Sequence, residues 1–341
     1  MPSAAPPRTS VVLCTRNRAA SLAAACRVLL AMDHPPERWE LLVVDNASTD
    51  DTLEVARVVA RAHPGRVRVI EERRLGLSAA RNAAVGASEA ELLAFLDDDA
   101  EPVPGWLASL EAALGRDGVW AAGGPVIPVF AGELPDWFAG RFLPYLSVWD
   151  RGDECVPLAY NDYPRGTNIA FRRDVFARFG PFSLRLGRRG RSLRSGEEIE
   201  LCLRIERHGG QVLYVPGAAV RHATPLARLT PSWMARRFQA QGRSEAIIDW
   251  RHAGLRGLRH GLRRAARHAL AARVERRFGR PAAVLARCQR RALLGYARGL
   301  VEAAASIRRY RPPADPPARA WRPFAEPEVP ENEMTQVSVG R

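Results

Sequence analysis

Short apolar segments alternate with longer amphipathic segments along the first 125 residues. The apolar segments have the length of strands and lie at Ser10–Cys14, Glu40–Val44, Val67–Glu71 and Leu92–Leu96. Helical spacing of apolar residues occupies the intervening stretches Arg18–Ala31, Asp50–Ala62 and Ala79–Val85. Such alternation indicates βαβ units around a mostly parallel sheet that is buried on both faces. The pattern therefore predicts an α/β fold whose ligands bind beyond the carboxyl ends of the strands.

The pattern is less regular between Gly123 and Thr230. Several prolines interrupt a stretch that is rich in large aromatic residues, namely Trp137, Phe138, Phe142, Tyr145 and Trp149. These aromatics either line a pocket or pack beneath a long connection. The regular elements expected in this part are strands at Gly166–Phe171 and Gln211–Val215 and helices at Asp174–Phe179 and Glu197–His208.

The chain changes character after Thr230. Thr230 and Pro231 are suited to the N-cap and the first turn of a helix. Helical sequence rich in Ala, Arg and Leu continues from there to about residue 309. The predicted divisions are a disordered N-terminus at 1–8, an α/β domain at 9–230, an Arg-rich helical extension at 231–311 and a disordered Pro-rich tail at 312–341.

Composition narrows the class of protein. The 341 residues are 47% apolar and 26% charged, as in a globular protein with a sizeable core. The net charge is +14, and residues 251–311 hold 17 arginines and two acids, which accounts for the whole excess. Five cysteines without a CxxC pair disfavour a disulfide framework or a zinc site and suit a reducing cytosol. Neither a signal peptide nor a membrane span is expected.

Polar residues follow three of the predicted strands. Asp97, Asp98 and Asp99 come directly after Leu92–Leu96, where hard oxygen ligands suit Mg²⁺ or Mn²⁺, although a solvated acidic turn is the alternative. Asp45 ends the second strand and can accept hydrogen bonds from a base or a ribose, whereas Asp50 is favoured as a helix cap.

Basic and polar groups lie near the same predicted edge. Thr15, Asn17 and Arg18 follow the first strand and can contact a nucleotide, although helix capping alone could explain Thr15 and Asn17. Arg81 falls one to two turns into a helix near this edge. Its guanidinium suits a diphosphate, with a surface salt bridge as the alternative.

Motifs at these positions resemble those of the family 2 glycosyltransferases, which have the GT-A fold. The resemblance covers roughly residues 8–245 and is carried by the segments TRNR, VVDNASTDDT, GLSAARNAA, FLDDD, GTNIAFRR, FGPF, SGEEIEL and VRH. Each segment alone is weak, whereas their order along the chain is specific. The resemblance implies a nucleotide-sugar-binding half at 9–125 and an acceptor-binding half at 126–230.

The resemblance also implies a reaction. A sugar would move with inversion from a nucleotide-diphosphate donor to a hydroxyl acceptor, with UDP favoured and dTDP or GDP as alternatives. Residues implied in donor binding are Thr15, Asn17, Arg18, Asp45, Arg81, Asp97 and Asp98. Residues implied on the acceptor side are Gly166, Thr167 and Asn168. A divalent metal, Mn²⁺ or Mg²⁺, would be held by Asp97, Asp99 and His222.

By its position, Glu198 is the residue that the resemblance implies as the catalytic base. The family usually carries Asp there, so the longer Glu changes the reach and keeps Glu197 open as the base. A structural role for Glu198 is also available. Ser195 to Glu198 fits a capping box, in which Glu198 would be the third helical residue and would reach back to the cap.

Two other functions compete with sugar transfer. A nucleotidyltransferase on a similar α/β core would carry a Gly-rich phosphate loop after the first strand, and this loop has no glycine. Nucleic-acid binding by residues 251–311 is disfavoured because the segment lacks interleaved aromatics. The segment is expected to rest on an anionic membrane surface, or to pack on the catalytic domain with its arginines exposed. We expect a cytoplasmic protein, peripheral on the inner face of the membrane.

Overall fold

The computed structural model describes residues 7–160, 162–275 and 280–304, with the backbone alone for 255–275, 280 and 304. The disorder expected at 1–6 and 312–341 lies outside these residues, whereas the Arg8 amide donates a hydrogen bond to the Arg38 carbonyl. The chain divides into two compact units. The first holds the residues up to Val129 and Trp149–Ala223, and the second holds Phe130–Val148 and the described residues from Thr224 onward.

The regular elements in the described residues are eleven strands and eight α-helices. The strands are β1 Thr9–Thr15, β2 Trp39–Asp45, β3 Val67–Glu71, β4 Leu92–Leu96, β5 Ala100–Pro102, β6 Val119–Gly123, β7 Val126–Phe130, β8 Val156–Leu158, β9 Asn168–Arg172, β10 Gln211–Tyr214 and β11 Val220–Thr224. The helices are α1 Ala19–Leu30, α2 Thr52–Ala62, α3 Leu77–Ala87, α4 Trp106–Leu114, α5 Asp174–Phe179, α6 Glu197–Arg207, α7 Pro231–Glu275 and α8 Arg280–Ala304. Short 3₁₀ helices lie at Pro36–Arg38, Gly140–Leu146 and Leu226–Arg228.

The α/β prediction is confirmed by a mixed eight-stranded sheet of order β3-β2-β1-β4-β9-β6-β10-β8. Strands β1, β2, β3 and β4 are parallel neighbours, as the alternation of strands and helices predicted. The centre of the sheet departs from that pattern, because β9 runs antiparallel between β4 and β6. A strand from the less regular half of the chain thus lies beside the strand that ends in the acidic residues.

The core of the first unit explains why the predicted strands form where they do. Both faces of β1, β2 and β4 are covered, and Leu41, Leu42, Val43 and Val44 have no measurable exposure. Bulky residues from the flanking helices, including Leu22, Leu29 and Trp106, close one face. Strands buried on both faces require continuous apolar sequence, and β4 begins and ends at the predicted residues. The edge strand β3, which is only partly buried, also has the predicted bounds.

The second sheet has the order β5-β11-β7 and brings a distant segment to the acidic residues. His222 in β11 pairs with Ala100 in β5, immediately after Asp99. The Ala223 amide also donates a hydrogen bond to the Asp99 carbonyl, at 2.8 Å. The small sheet therefore holds His222 beside the end of β4, although His222 lies 126 positions after Leu96 in the sequence.

The second unit is built on α7 and α8. As predicted, α7 begins at Pro231, and the Thr230 hydroxyl accepts a hydrogen bond from the Trp233 amide at 3.2 Å. Gly254 is non-helical, with a φ of 50° and a ψ of −130°, so α7 is kinked at this residue. Four of the five predicted aromatics, Trp137, Phe138, Phe142 and Tyr145, pack in this unit rather than lining an open pocket. Phe142 is buried, and Tyr145 stacks on Phe238 with ring centroids 3.6 Å apart. No described helix combines the length and apolar character needed to cross a bilayer.

Candidate active site

Three side chains form a cluster that could hold a metal ion at the end of β4. Asp97, Asp99 and His222 each offer one ligand atom, and these atoms lie within 4.8 Å of one another. His222 Nε2 is 3.2 Å from Asp99 Oδ1. His222 is buried, whereas the Asp97 side chain is 34% exposed, so the cluster opens toward solvent on the Asp97 side. Two carboxylates and an imidazole are a donor set that Mn²⁺ accepts.

Asp98, between the two acidic members of the cluster, turns toward β1 instead. Its Oδ2 accepts a hydrogen bond from the Thr15 hydroxyl at 2.6 Å, and its Oδ1 lies 3.1 Å from Arg18 Nη1. Burial raises the pKa of the Asp98 carboxyl to about 6, and Arg18 and Thr15 limit the rise. Asp98 therefore ties the end of β4 to the loop after β1, a contact that the sequence did not indicate.

Arg18 contacts two of the acidic residues directly. Its Nη1 and Nη2 donate to Asp99 Oδ2 at 3.1 and 3.0 Å, in addition to the contact with Asp98. A single guanidinium thus joins two of the three consecutive carboxylates, and it relieves the repulsion between them.

Asp45 and Asn17 have different environments at the neighbouring strand ends. Asp45 is buried, and its Oδ2 accepts the Ser48 amide at 3.2 Å, while Oδ1 has no hydrogen-bond partner among the described residues. Asn17 is exposed and exchanges hydrogen bonds with Thr49, including 2.8 Å from the Thr49 amide to Asn17 Oδ1. Asp45 therefore retains a free acceptor atom, whereas Asn17 fastens the loop after β1 to the loop after β2.

Asn46 has a positioning role that the sequence reasoning did not identify. Its Nδ2 donates to the carbonyls of Glu72 and Arg74, and its Oδ1 accepts the Gly76 amide at 2.7 Å. These bonds hold the segment that leads into α3, where Gly76 has a φ of 139°. The residue stands next to Asp45 in the second motif, and that adjacency is the signal that could have drawn attention to it.

Asp50 lies one residue before the N-cap of α2 and still bonds to the first turn of the helix. The N-cap residue of α2 is Asp51, and the Asp50 carboxylate accepts the Thr52 amide at 3.0 Å. The hydrogen bonds from Thr52 lower the pKa of Asp50. Its function in the described structure is to start α2.

Adjacent carboxylates stand at the start of α6. Gly196, with a φ of 92°, is the N-cap residue, so Glu197 and Glu198 are the first and second helical residues. The capping-box alternative, which needed Glu198 at the third position, is therefore wrong. Both residues are buried, and the Oε2 atom of each has no hydrogen-bond partner among the described side chains and backbone.

The two glutamates differ in their remaining contacts. Glu197 Oε1 lies 2.9 Å from Arg81 Nη1, and Glu198 Oε1 accepts the Gly166 amide at 3.3 Å. Burial raises the pKa of Glu197 to about 7, with the neighbouring Glu198 adding to the effect and Arg81 opposing it. The Oε1 atom of Glu197 is thus held by a cation, whereas the Oε1 atom of Glu198 is held by a backbone amide.

Arg81 connects the carboxylate pair with the acidic cluster. Besides binding Glu197, it donates from Nη2 to the Gly166 carbonyl at 2.7 Å and lies 3.8 Å from Asp97 Oδ1. Its side chain is only 3% exposed. The surface salt bridge considered for Arg81 is therefore wrong, because the ion pair is buried.

The turn before β9 completes the connection. The Thr167 hydroxyl donates to Asp97 Oδ2 at 2.8 Å. A Cβ on Gly166 would lie 2.9 Å from the Arg81 guanidinium nitrogens, so a larger residue there would displace the guanidinium from its position beside the Gly166 carbonyl. Asn168 is fully buried and is occupied by Trp106 Nε1 and by the carbonyls of Pro125 and Ala218. Strand β9 begins at Asn168 instead of the predicted Gly166, so Gly166 and Thr167 lie in the turn before the strand.

We expect Arg81→Met to lower the free energy of unfolding at pH 8 by about 3 to 5 kcal/mol. Methionine fills much of the volume but leaves the Glu197 carboxylate buried without its cation. Chemical denaturation followed by circular dichroism measures the change. The matched control is Arg57→Met, which removes an ion pair with Glu71 that is nearly half exposed and costs less than about 1 kcal/mol. Equal losses in the two variants would contradict the prediction.

Two solved glycosyltransferase structures share this architecture. One is the mannosyltransferase PcManGT from Pyrobaculum calidifontis in complex with GDP-Man and Mn²⁺, with a TM-score of 0.59 and 21% identity over 87% of this chain and 88% of that chain. The other is GalNAc-T7 with UDP, GalNAc and Mn²⁺. Its TM-score is 0.54 and its identity 18%, over 90% of this chain and 58% of that chain. The fold is that of the GT-A glycosyltransferases.

Sequence comparison then identifies the family. The family model for glycosyl transferase family 2 matches residues 10–180, half of the chain. The chain belongs to this family and is an enzyme that transfers sugars from nucleotide-sugar donors.

Two curated relatives have similar identity to this chain. The glucosyl-dolichyl phosphate glucuronosyltransferase of Haloferax volcanii is 29% identical over 71% of this chain and 77% of its own length. The succinoglycan biosynthesis protein ExoM of Rhizobium meliloti is 29% identical over 76% of this chain and 79% of its own length.

Proposed function

We propose that the protein is a metal-dependent, inverting glycosyltransferase that acts on a hydroxyl acceptor. The observation that carries the proposal is that the possible metal-binding cluster and the possible catalytic base lie at one edge of the sheet and are connected by hydrogen bonds. The Asp97, Asp99 and His222 cluster and the Glu198 carboxylate are joined through Arg81, Gly166 and Thr167. Inverting displacement needs a neutralised leaving group and a base, and this arrangement supplies side chains suited to each.

Asp97, Asp99 and His222 are the residues that would hold the divalent ion. Two carboxylates and one imidazole suit Mn²⁺. They suit Mg²⁺ less well, because Mg²⁺ prefers oxygen ligands to a histidine nitrogen. When bound, the ion supplies positive charge to the diphosphate of the donor as the sugar departs. Thr167 orients Asp97 for this role through its hydroxyl.

Glu198 is our proposed base. One of its oxygens is held by the Gly166 amide, and the other is buried without a partner among the described residues, as an oxygen that accepts a proton should be. Glu197 is less suited, because its Oε1 is held in a buried ion pair with Arg81, 2.9 Å from Nη1. We assign Glu197 the task of holding Arg81 in place.

The donor side follows from the strand-end loops. We propose that Asp45 Oδ1 accepts a hydrogen bond from the base or ribose, since it is buried without a partner in the described structure. Thr15 and Asn17 support the donor site by holding Asp98 and the loop after β2. We propose a UDP-sugar as the donor, with dTDP and GDP sugars as the alternatives. Gly166 and Thr167 are assigned to the acceptor side, and Asn168 supports them as a buried anchor bonded to Trp106 Nε1 and the Pro125 and Ala218 carbonyls.

A thermal-shift panel tests the proposal directly. UDP, GDP, dTDP and ADP are each added to the full chain with and without Mn²⁺. We expect one nucleotide to raise the melting temperature only when Mn²⁺ is present, because ligands that bind the native state stabilise it in proportion to the logarithm of their concentration. A panel in which no nucleotide shifts the transition, with or without the ion, would contradict the proposed function.

We also propose that the helical extension binds an anionic membrane surface, which would place the enzyme on the inner face of the membrane. Arg287, Arg291, Leu294, Arg298 and Val301 share one exposed face of α8, with Leu294 and Val301 exposed by 55% and 70%. A face that combines arginines with exposed apolar residues is typical of helices that lie on anionic lipid.

Vesicle co-sedimentation tests the membrane proposal. We expect binding to vesicles that contain phosphatidylglycerol and none to phosphatidylcholine alone. Replacing Arg287, Arg291 and Arg298 by Gln should weaken binding at least about tenfold. The control replaces three exposed arginines of the first unit, Arg57, Arg61 and Arg73. Equal binding by both triple variants, or no binding by the wild type at low salt, would overturn the proposal.

A further inference from the structure

The Arg18 guanidinium occupies the acidic cluster. It lies within 3.1 Å of oxygens on both Asp98 and Asp99, and its two terminal nitrogens converge on Asp99 Oδ2. The other Asp99 oxygen lies beside His222 Nε2, at 3.2 Å. Asp99 therefore faces a permanent positive charge, on the same carboxylate that the proposed function assigns to a metal ion.

The attachment of Arg18 allows the side chain to move while the backbone stays in place. Its amide donates to the Thr52 hydroxyl at 2.8 Å, and its carbonyl accepts the Leu22 amide at 2.9 Å in the first turn of α1. The side chain is 35% exposed, so the guanidinium can reach solvent by rotation about its own bonds. If it leaves, Asp98 keeps the hydrogen bond from Thr15.

We propose that Arg18 is an exchangeable counter-ion of the acidic cluster: it neutralises Asp99 before the donor binds and moves from Asp99 to the donor diphosphate when metal and nucleotide are present. The inference rests on the proposed function, which supplies both ligands. A guanidinium and a divalent ion on one carboxylate repel each other, so Arg18 opposes binding of the ion alone. A diphosphate offers Arg18 new charge-assisted hydrogen bonds and removes that opposition.

The exchange makes metal and nucleotide binding cooperative, and it gives Arg18 effects of opposite sign on the two ligands. Loss of the guanidinium removes a competitor of the metal ion and, in the complete complex, a partner of the diphosphate. A residue that only stabilised the empty loop would not produce this pair of effects. A coupling of this kind is typically five- to 150-fold, roughly 1 to 3 kcal/mol in general surveys.

The test compares Arg18→Gln and Arg18→Lys with wild type and with the control Arg16→Gln. Arg16 is in the same loop and carries the same charge, but its contact is with the Ala47 carbonyl. Binding of Mn²⁺ alone is followed by the electron paramagnetic resonance signal of the free ion. Binding of UDP and GDP in saturating Mn²⁺ is measured by isothermal titration calorimetry, and circular dichroism checks that each variant is folded.

For Arg18→Gln we expect Mn²⁺ alone to bind about five- to tenfold more tightly and the nucleotide to bind at least about tenfold more weakly. Arg18→Lys, which keeps the charge without the fork, should fall between Gln and wild type for both ligands, and Arg16→Gln should match wild type. Unchanged or weaker Mn²⁺ binding by Arg18→Gln, or unchanged nucleotide binding, overturns the exchange. A wild-type chain that binds neither Mn²⁺ nor a nucleotide overturns the proposed function as well, which separates the two failures.

Discussion

Glu198→Gln is expected to lower kcat by about 10³-fold while the affinity for nucleoside diphosphate stays within about twofold. The amide keeps the size of the side chain and can still accept the Gly166 N–H, but it cannot take a proton from the acceptor hydroxyl. General bases contribute about 10² to 10⁴ in rate, and the loss falls on kcat because the base acts in the transition state. Initial rates with a nucleotide sugar and calorimetric binding of the nucleotide measure the two quantities.

Two further substitutions distinguish the carboxylates from each other. Glu198→Asp keeps a carboxylate and shortens the reach by one methylene, so we expect it to retain more activity than Glu198→Gln. Glu197→Gln leaves Arg81 a neutral partner and should reduce kcat far less than Glu198→Gln. If Glu197→Gln gave the thousandfold loss and Glu198→Gln remained within tenfold of wild type, the base would be Glu197.

Asp99→Asn is expected to abolish Mn²⁺-dependent transfer and to lower kcat/KM by at least about 10³-fold. Asp99 is the acid in contact with His222, and its neutral amide binds divalent ions poorly. The metal supplies several kcal/mol of charge stabilisation at the leaving group, which corresponds to a loss of this size. Steady-state rates across a Mn²⁺ titration, with a chelator as the metal-free reference, provide the measurement.

The matched control for Asp99→Asn is Asp98→Asn. Asp98 is the adjacent carboxylate, but it binds Thr15 and Arg18 and is not a member of the Asp97, Asp99 and His222 cluster. Asp98→Asn should change the Mn²⁺ affinity less than tenfold, because Asp98 affects the ion only as a nearby charge and does not ligate it. Full activity of Asp99→Asn at the Mn²⁺ concentration that serves wild type would refute the role of Asp99.

Local sequence was sufficient for the strand ends that carry the acidic residues. Leu92–Leu96 is a buried apolar run that stops at three carboxylates, and the observed β4 has the same bounds. Asp45 likewise ends β2. Buried parallel strands need uninterrupted apolar residues and polar chemistry follows where burial ends, so the pattern of residues locates both the strand and its functional end.

Local sequence was insufficient where two interpretations shared the same residues. The segment from Ser195 to Glu198 fits a capping box as well as a catalytic pair, and propensity alone does not separate them. The left-handed conformation of Gly196 starts the helix at Glu197 and moves Glu198 out of the capping position. Arg81 could have been a surface ion pair by sequence, and its burial against Glu197 depends on contacts from residues more than 80 positions away.

The sequence by itself determined the α/β class, the strands of the first half and the identity of the acids at their ends, because burial imposes a periodic pattern that neighbouring residues express. Local patterns did not indicate which distant groups lie together; the family resemblance implied the Asp97, Asp99 and His222 set, and the tertiary structure decided the other contacts. The antiparallel insertion of β9 beside β4 brings Gly166 and Thr167 to Arg81 and Asp97, and the pairing of β11 with β5 brings His222 to Asp99. These contacts depend on pairing between strands that are distant in the sequence. Such pairing leaves no periodic pattern of residues in either strand.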